Sequence, residues 1–305
     1  MEPNTSKRPS RIAVLSGAAS ALVVGALLMG SPAFAQEDSP TLLAGCEVPA
    51  ADLSVADVAE RVNPAVVTIT NMQRGSGQLP EGIGGIIGGD EPIGGARPVG
   101  TGTGFIVDSA GHVVTNAHVV AGASDLLVAF EDGTEVEATV VGQDELLDIA
   151  VVELDLAGGR EVPATACFGD TASLRPGDQV VAIGSALGEF TNTVSEGTVN
   201  AKGRTLRGGY GLTNLIQHDA EIWHGNSGGP LLNLRGEVVG INVAGISGDR
   251  MGTAPADIAF AIDGNSARTS VESIIEDGTV ERPYLGIQGE ALPLGQMVDD
   301  VVAGG

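Results

Sequence analysis

Gly225-Asn226-Ser227-Gly228-Gly229-Pro230-Leu231 sets one serine among glycines at positions 225, 228 and 229. A serine hydroxyl is a poor nucleophile until a base takes its proton and donors stabilise the oxyanion that follows. Glycine two residues before the serine lets the chain curl, so that the Gly225 and Ser227 N–H groups point into one hole. The glycines after it turn the backbone away without a side chain blocking the approach. The competing reading is an ordinary Gly-Ser turn. Ser227 is the candidate nucleophile, and what stands upstream of it decides between the two readings and decides the fold.

Two upstream segments supply the partners. Val114-Thr115-Asn116-Ala117-His118-Val119-Val120 puts a histidine directly after an apolar strand, where small Ala117 permits close packing. A histidine among apolar residues is either a base or a satisfied core residue. Leu146-Leu147-Asp148-Ile149-Ala150-Val151 opens a buried strand with a carboxylate, which is costly without a hydrogen-bond partner. Holding an imidazole in one tautomer would give Asp148 that partner. Asp144 competes for the role, but no apolar strand follows it directly. The chain order His118, Asp148, Ser227 is that of the two-barrel hydrolase fold and not of α/β-hydrolases or subtilisin-like enzymes.

The rest of the chain reads as short strands. Ser54 with Asp57 three residues on marks the start of a short helix to about Val62, and Ala65–Asn71 is a strand. Twelve glycines between Gly75 and Gly104 predict a mobile surface loop. Phe105–Asp108 and His112–Thr115 flank a hairpin turn. Further runs are Leu126–Phe130, Glu135–Val141, Ile149–Leu154, Gln179–Ile183, Thr193–Asn200, Leu212–Gln217 and Val238–Ala244. Short strands separated by Gly, Asp and Asn indicate antiparallel barrels or sandwiches. Asn265–Glu276 is a helix with Val271, Ile274 and Ile275 on one face and Gly278 beyond its end.

The segments "TNAHVV", "DIAV" and "GNSGGPL" together resemble the HtrA/DegP family of exported trypsin-like proteases, as do "GTGTGFIVD", "QHDAEIWHGNSGGPLLN", "GEVVGINVAG" and "AFAIDGNS". The likeness runs from about Ser54 to Gly289. It implies an all-β fold of two antiparallel Greek-key barrels of the chymotrypsin-like type, with a short N-terminal and a C-terminal helix. His118 and Asp148 would lie on the first barrel and Ser227 on the second. It also implies a homotrimer, no cofactor and no metal. Three positions depart from the family: Trp223-His224 stands where Asn-Pro is usual, and His218 replaces a small polar residue. Trp223-His224 puts the resting shape of the oxyanion hole in question. For His218 the alternatives are a second base or an exposed strand histidine, and the second is the simpler.

The substrate pocket is read from what flanks Ser227. Ile222, Val243, Ala244, Gly245 and Ile246 are its candidate lining, with Val243–Gly245 pairing with the substrate as an added strand. Glu221, six residues before Ser227, would instead select Lys or Arg. Strand alternation puts Glu221 and Ile222 on opposite faces, and a buried unpaired carboxylate is costly. Ile222, and with it an apolar pocket, is the expectation.

The N-terminus reads as targeting. Lys7, Arg8 and Arg11 precede an apolar run from Ile12 to Met29, and Ala33-Phe34-Ala35 is a small-x-small cleavage site. Residues 1–35 are therefore a signal peptide, and the membrane is a partner only if they stay uncleaved. Residues 36–53 form an irregular leader, 54–280 a protease domain (barrels about 62–170 and 171–263), and 281–305 the truncated start of a PDZ domain. The PDZ reading rests on Arg282-Pro283-Tyr284-Leu285-Gly286-Ile287. Cleavage leaves 12 basic and 38 acidic residues, a net charge of −26, which repels nucleic acid and anionic lipid. Cys46 and Cys167 either pair in an oxidising compartment or remain thiols. The histidines and cysteines lack metal-ligand spacing. The expected function is an exported (periplasmic, secreted or envelope-associated) endopeptidase for unfolded polypeptides. A non-catalytic holdase on the same scaffold is the alternative.

Overall fold

The computed structural model describes residues 48–74, 96–186, 190–206, 211–243 and 258–282. Residues 1–35, read as a signal peptide, most of the glycine-rich stretch, the candidate pocket residues Ala244–Ile246 and the residues after Arg282 lie outside them. Helix α1 (Val55–Val62) starts where expected. The Asp57 N–H donates to the Ser54 hydroxyl at 3.2 Å, and that hydroxyl donates to the Asp57 carboxylate at 2.7 Å. Such a cap is worth about 1 kcal/mol. Val58 and Val62, one turn apart, bury against the core.

The first barrel contains β1 (Val66–Arg74), β2 (Ala96–Ile106), β3 (His112–Thr115), β4 (Asp125–Ala129), β5 (Glu135–Asp144) and β6 (Ile149–Leu154). A single helical turn, α2 (Ala117–Val120), follows β3. The strand order is β1-β2-β3-β6-β5-β4, closed by antiparallel pairing of β4 with β1. The period of two along β6 sorts its side chains. Ala150, Val152 and Leu154 fill this barrel, while Ile149 and Val151 face the seam with the second.

The second barrel is built from β8 (Gln179–Ala186), β9 (Phe190–Arg204), β10 (Leu215–His218), β11 (Pro230–Leu232), β12 (Glu237–Val243) and β13 (Ala259–Asp263). They run in the order β11-β8-β9-β10-β13-β12, and β11–β12 pairing closes the ring. A two-residue strand, β7 (Cys167–Phe168), joins β12 in parallel. Helix α3 (Gly264–Asp277) begins at an Asp263 cap and ends at Gly278 with φ 73°. The expected fold class, two antiparallel barrels with a helix at each end, is the one observed.

The main core is the seam itself. Val66, Phe105, Val114 and Val151 of the first barrel meet Val181, Ile183, Leu215, Ile241 and Ile262 of the second, with Val271 and Ile274 of α3 packed on. Phe105, fully buried, meets Phe168 edge-on with centroids 5.8 Å apart. Truncating such a residue costs about 3–5 kcal/mol. Cys167 is disulfide-bonded. Among the described residues no helix is long and apolar enough to cross a membrane.

The glycine-rich stretch requires a correction. It does not run as loop to Gly104, because β2 begins at Ala96. Gly102 and Gly104 serve close packing: a Cβ on Gly102 would fall on Val119, and one on Gly104 on Val113 and Ile69.

Candidate active site

Asp148 sits at the turn into β6 with φ 57°, a left-handed conformation that few residues besides glycine, asparagine and aspartate adopt. Four hydrogen bonds hold it there. Its carbonyl accepts from Ala117 N at 3.1 Å and from the Asn116 amide at 2.9 Å. Its carboxylate accepts from His118 N at 2.9 Å through Oδ1, and Oδ2 lies 2.7 Å from His118 Nδ1. A carboxylate only accepts, so Nδ1 carries a proton, and in the neutral ring Nε2 is the nitrogen with the lone pair. The Asp148 side chain is 9% exposed and the His118 side chain 40%. The acid is buried and the ring edge is open.

Asp144 lies at the other end of the same turn and does different work. Its Oδ1 accepts the N–H groups of Leu146 and Leu147 at 3.1 and 3.2 Å. Ser270 donates to its Oδ2 at 2.7 Å, and the Arg282 guanidinium grips both oxygens at 2.6 and 2.5 Å. Burial pushes its carboxyl upward, but Arg282, Ser270 and the Leu147 amide outweigh that and hold it below the usual value. His118 is not among its partners.

The candidate nucleophile lies on the loop between β10 and β11. Gly225 and Gly228 have φ 101° and 84°, so the chain bends on both sides of Ser227. Asn226 N donates to the Trp223 carbonyl at 3.0 Å, which closes the turn without the Pro that family members carry. Gly228 N donates to the Asn242 carbonyl and Asn242 N to the Gly229 carbonyl, both at 2.9 Å. Ser227 is 7% exposed. Its carbonyl accepts Thr103 N, on β2 of the first barrel, at 2.8 Å. The three predicted residues thus sit on two barrels joined at β2.

A trypsin-like peptidase domain model matches residues 102–241. Serine protease Do-like HtrA of Bacillus subtilis (strain 168) is 39% identical over 241 residues, covering 76% of this chain and 51% of that protein. A probable periplasmic serine endoprotease, DegP-like, of Brucella suis biovar 1 (strain 1330) is 41% identical over 194 residues, which is 63% of this chain and 36% of its own. A solved HtrA-type protease, AlgW with a decapeptide, superposes with TM-score 0.64 at 33% identity, covering 79% of this chain and 73% of that one. The chain belongs to the HtrA family. It spans about half the length of the Bacillus HtrA.

On this HtrA scaffold the candidate pocket residues separate by face. Glu221 is exposed, and its carbonyl accepts the Ser195 hydroxyl at 2.8 Å. Ile222 is half-buried against the core of the second barrel, and Val243 is buried. Ala244, Gly245 and Ile246 fall outside the described residues. Trp223, four residues before Ser227, is about half exposed.

His218 is not the exposed strand histidine expected from sequence. It is completely buried: on β10, which pairs with β13 and β9, it shares a face with Ile216, and Ile216 packs in the core of the second barrel. Neither ring nitrogen has a hydrogen-bond partner among the described residues. Burial pushes its pKa down to about 4, only partly offset by the nearby Asp219 carboxylate and the Asn242 side chain.

Residues that sequence reasoning passed over also meet here. Thr68, Thr103, Thr115 and Ser185 are buried hydroxyls on β1, β2, β3 and β8. The signal for one of them was present: Thr103 lies in the family segment "GTGTGFIVD", whose glycines drew the loop reading.

Proposed function

We propose that this chain is an exported serine endopeptidase that hydrolyses unfolded polypeptides through an acyl-enzyme, with Ser227, His118 and Asp148 as its triad. The supporting observation is the Asp148–His118 pair at 2.7 Å on the barrel that also holds the Ser227 carbonyl through Thr103. With Nδ1 engaged by Asp148, Nε2 is the base. It takes the Ser227 proton as Oγ bonds to the peptide carbonyl carbon, and Asp148 stabilises the imidazolium. Gly225 and Ser227 N–H groups receive the oxyanion. His118 then gives its proton to the leaving amine as the C–N bond breaks. Water repeats the sequence on the ester and frees the acid product.

The substrate pairs with the end of β12 and the residues beyond it, Val243–Gly245, in the mode of an added strand. AlgW with a decapeptide supports peptide binding for this scaffold. The apolar pocket reading is supported by the half-buried Ile222 and by Glu221 turned to solvent. Export is supported by the periplasmic designation of the Brucella relative and by the signal-like residues 1–35. The domain layout, with a protease domain over 54–280 and a PDZ start over 281–305, and the homotrimer belong to the same proposal.

Incubation with casein tests it. The unaltered chain is expected to cleave casein after Val, Leu or Ala, and Ser227→Ala to lose cleavage by several orders of magnitude while keeping its fold. Comparable cleavage by Ser227→Ala would contradict the nucleophile, and cleavage mainly after Arg or Lys would contradict the pocket.

A further inference from the structure

Thr103 is completely buried in β2. The peptide and hydroxyl groups of this one residue bind four places in the chain. Its N–H donates to the Ser227 carbonyl at 2.8 Å. Its hydroxyl donates to the Gly225 carbonyl at 2.6 Å and accepts the Ser185 N–H at 2.8 Å. Its own carbonyl accepts the Thr115 hydroxyl at 2.7 Å. The first two contacts hold the nucleophile loop on both sides of Asn226. The last ties β2 to Thr115, three residues before His118.

The surroundings leave no slack. Thr103 and Thr68 are cross-strand partners between β2 and β1, and the Thr68 hydroxyl bonds the Ser185 hydroxyl. A Cβ on Gly228 would fall on the Thr103 carbonyl and the Thr115 hydroxyl, and one on Gly229 would fall on the Ile183 carbonyl and come close to the Thr103 methyl. Both glycines follow Ser227 directly, and both leave room for Thr103 of the first barrel. Buried hydroxyls with all partners satisfied fix geometry strongly, since breaking one strands another.

We infer that Thr103 is a positioning residue. It sets the nucleophile loop of the second barrel in register with the His118 strand of the first, through hydrogen bonds to the Gly225 and Ser227 carbonyls. The inference rests on the reading of Ser227 as the nucleophile. Thr103 touches no substrate; it acts through the loop. A misplacement of about 1 Å between reacting groups costs roughly a hundredfold in rate.

Thr103→Val keeps the shape and removes the hydroxyl, and Thr103→Ser restores it. Turnover of a peptide substrate is read together with amide hydrogen exchange of residues 225–229. In Thr103→Val, kcat is expected to fall roughly a hundredfold with KM within about twofold. Exchange is expected to speed up in the loop alone, and Thr103→Ser to return both readouts to their starting values. Unchanged kcat in Thr103→Val overturns the inference. So does acceleration spread evenly over both barrels, which marks a purely structural role. Should the valine chain not fold, Thr103→Cys, of similar size with a weak donor, takes its place with the same expectations. If the unaltered chain neither turns over substrate nor reacts at Ser227, the serine-peptidase reading falls. The exchange arm then decides the positioning claim alone, and unaltered loop exchange overturns it.

Discussion

The two barrels contribute to the candidate site in opposite ways. On the first, the His118–Asp148 pair is self-contained: all its partners named above come from the turn before β6 and the segment around α2. On the second, the Ser227 loop has partners in its own β12 but is also gripped from outside, by Thr103 of the first barrel. A base and its orienting acid can thus be positioned by one local turn. A nucleophile that must face a base on another domain needs contacts across the seam.

The same contrast appears within a single turn. Asp144 and Asp148 are four residues apart, both nearly buried. Asp148 faces His118, and Asp144 faces Ser270 and Arg282. Asp148→Asn is expected to lower kcat roughly ten-thousand-fold by favouring the wrong imidazole tautomer, with little change in Tm. Asp144→Asn is expected to cost about 1–3 kcal/mol of stability by weakening the grip on Arg282. Its effect on kcat should be roughly tenfold or less. Peptide turnover and thermal unfolding of the two variants check this pair of outcomes. The reverse ranking in kcat would make Asp144 the orienting carboxylate.

A pH-dependent effect comes from His218 in the core of the second barrel. Its folded pKa is about 4 against 6.5 for the free side chain. Between those values the unfolded chain binds the proton and the folded chain does not. Stability contributed by the neutral ring is therefore full above pH 6.5 and falls as pH drops toward 4, by on the order of 3 kcal/mol. His112 acts in the opposite sense. The hydrogen bond it donates to the Asp108 carboxylate, against the cost of burial, raises its pKa, so its contribution is present below 6.5 and lost as pH rises through its folded value. Comparing His218→Gln with the parent isolates the first term. Urea unfolding from pH 7 to 4.5 should show a shallower slope in the variant, and identical slopes would contradict a neutral buried ring.

What was legible in the sequence follows from this physics. The three candidate residues stood out because a nucleophilic serine needs glycines beside it and a buried carboxylate needs a partner. Strand β6 was read at both ends, Ile149 and Leu154, because it is a continuous apolar run behind an aspartate. Helix α3 announced itself by Gly278 past its end. Strands β7 and β11 were missed since two or three residues carry no period, and β11 lies inside the serine motif. β13 was absorbed into the lead-in to α3. The burial of His218 depends on the second barrel closing over the face it shares with Ile216, and the Thr103–Gly225 contact joins residues 122 apart in sequence. No local pattern reports either.

The most direct test of the central claim is reaction of the intact chain with a fluorophosphonate probe, followed by mass mapping of the adduct. An activated serine is expected to carry the label at Ser227 alone, and Ser227→Ala should remain unlabelled. A label on another residue, or undiminished labelling of Ser227→Ala, would contradict the assignment of Ser227 as the nucleophile activated by His118 and Asp148.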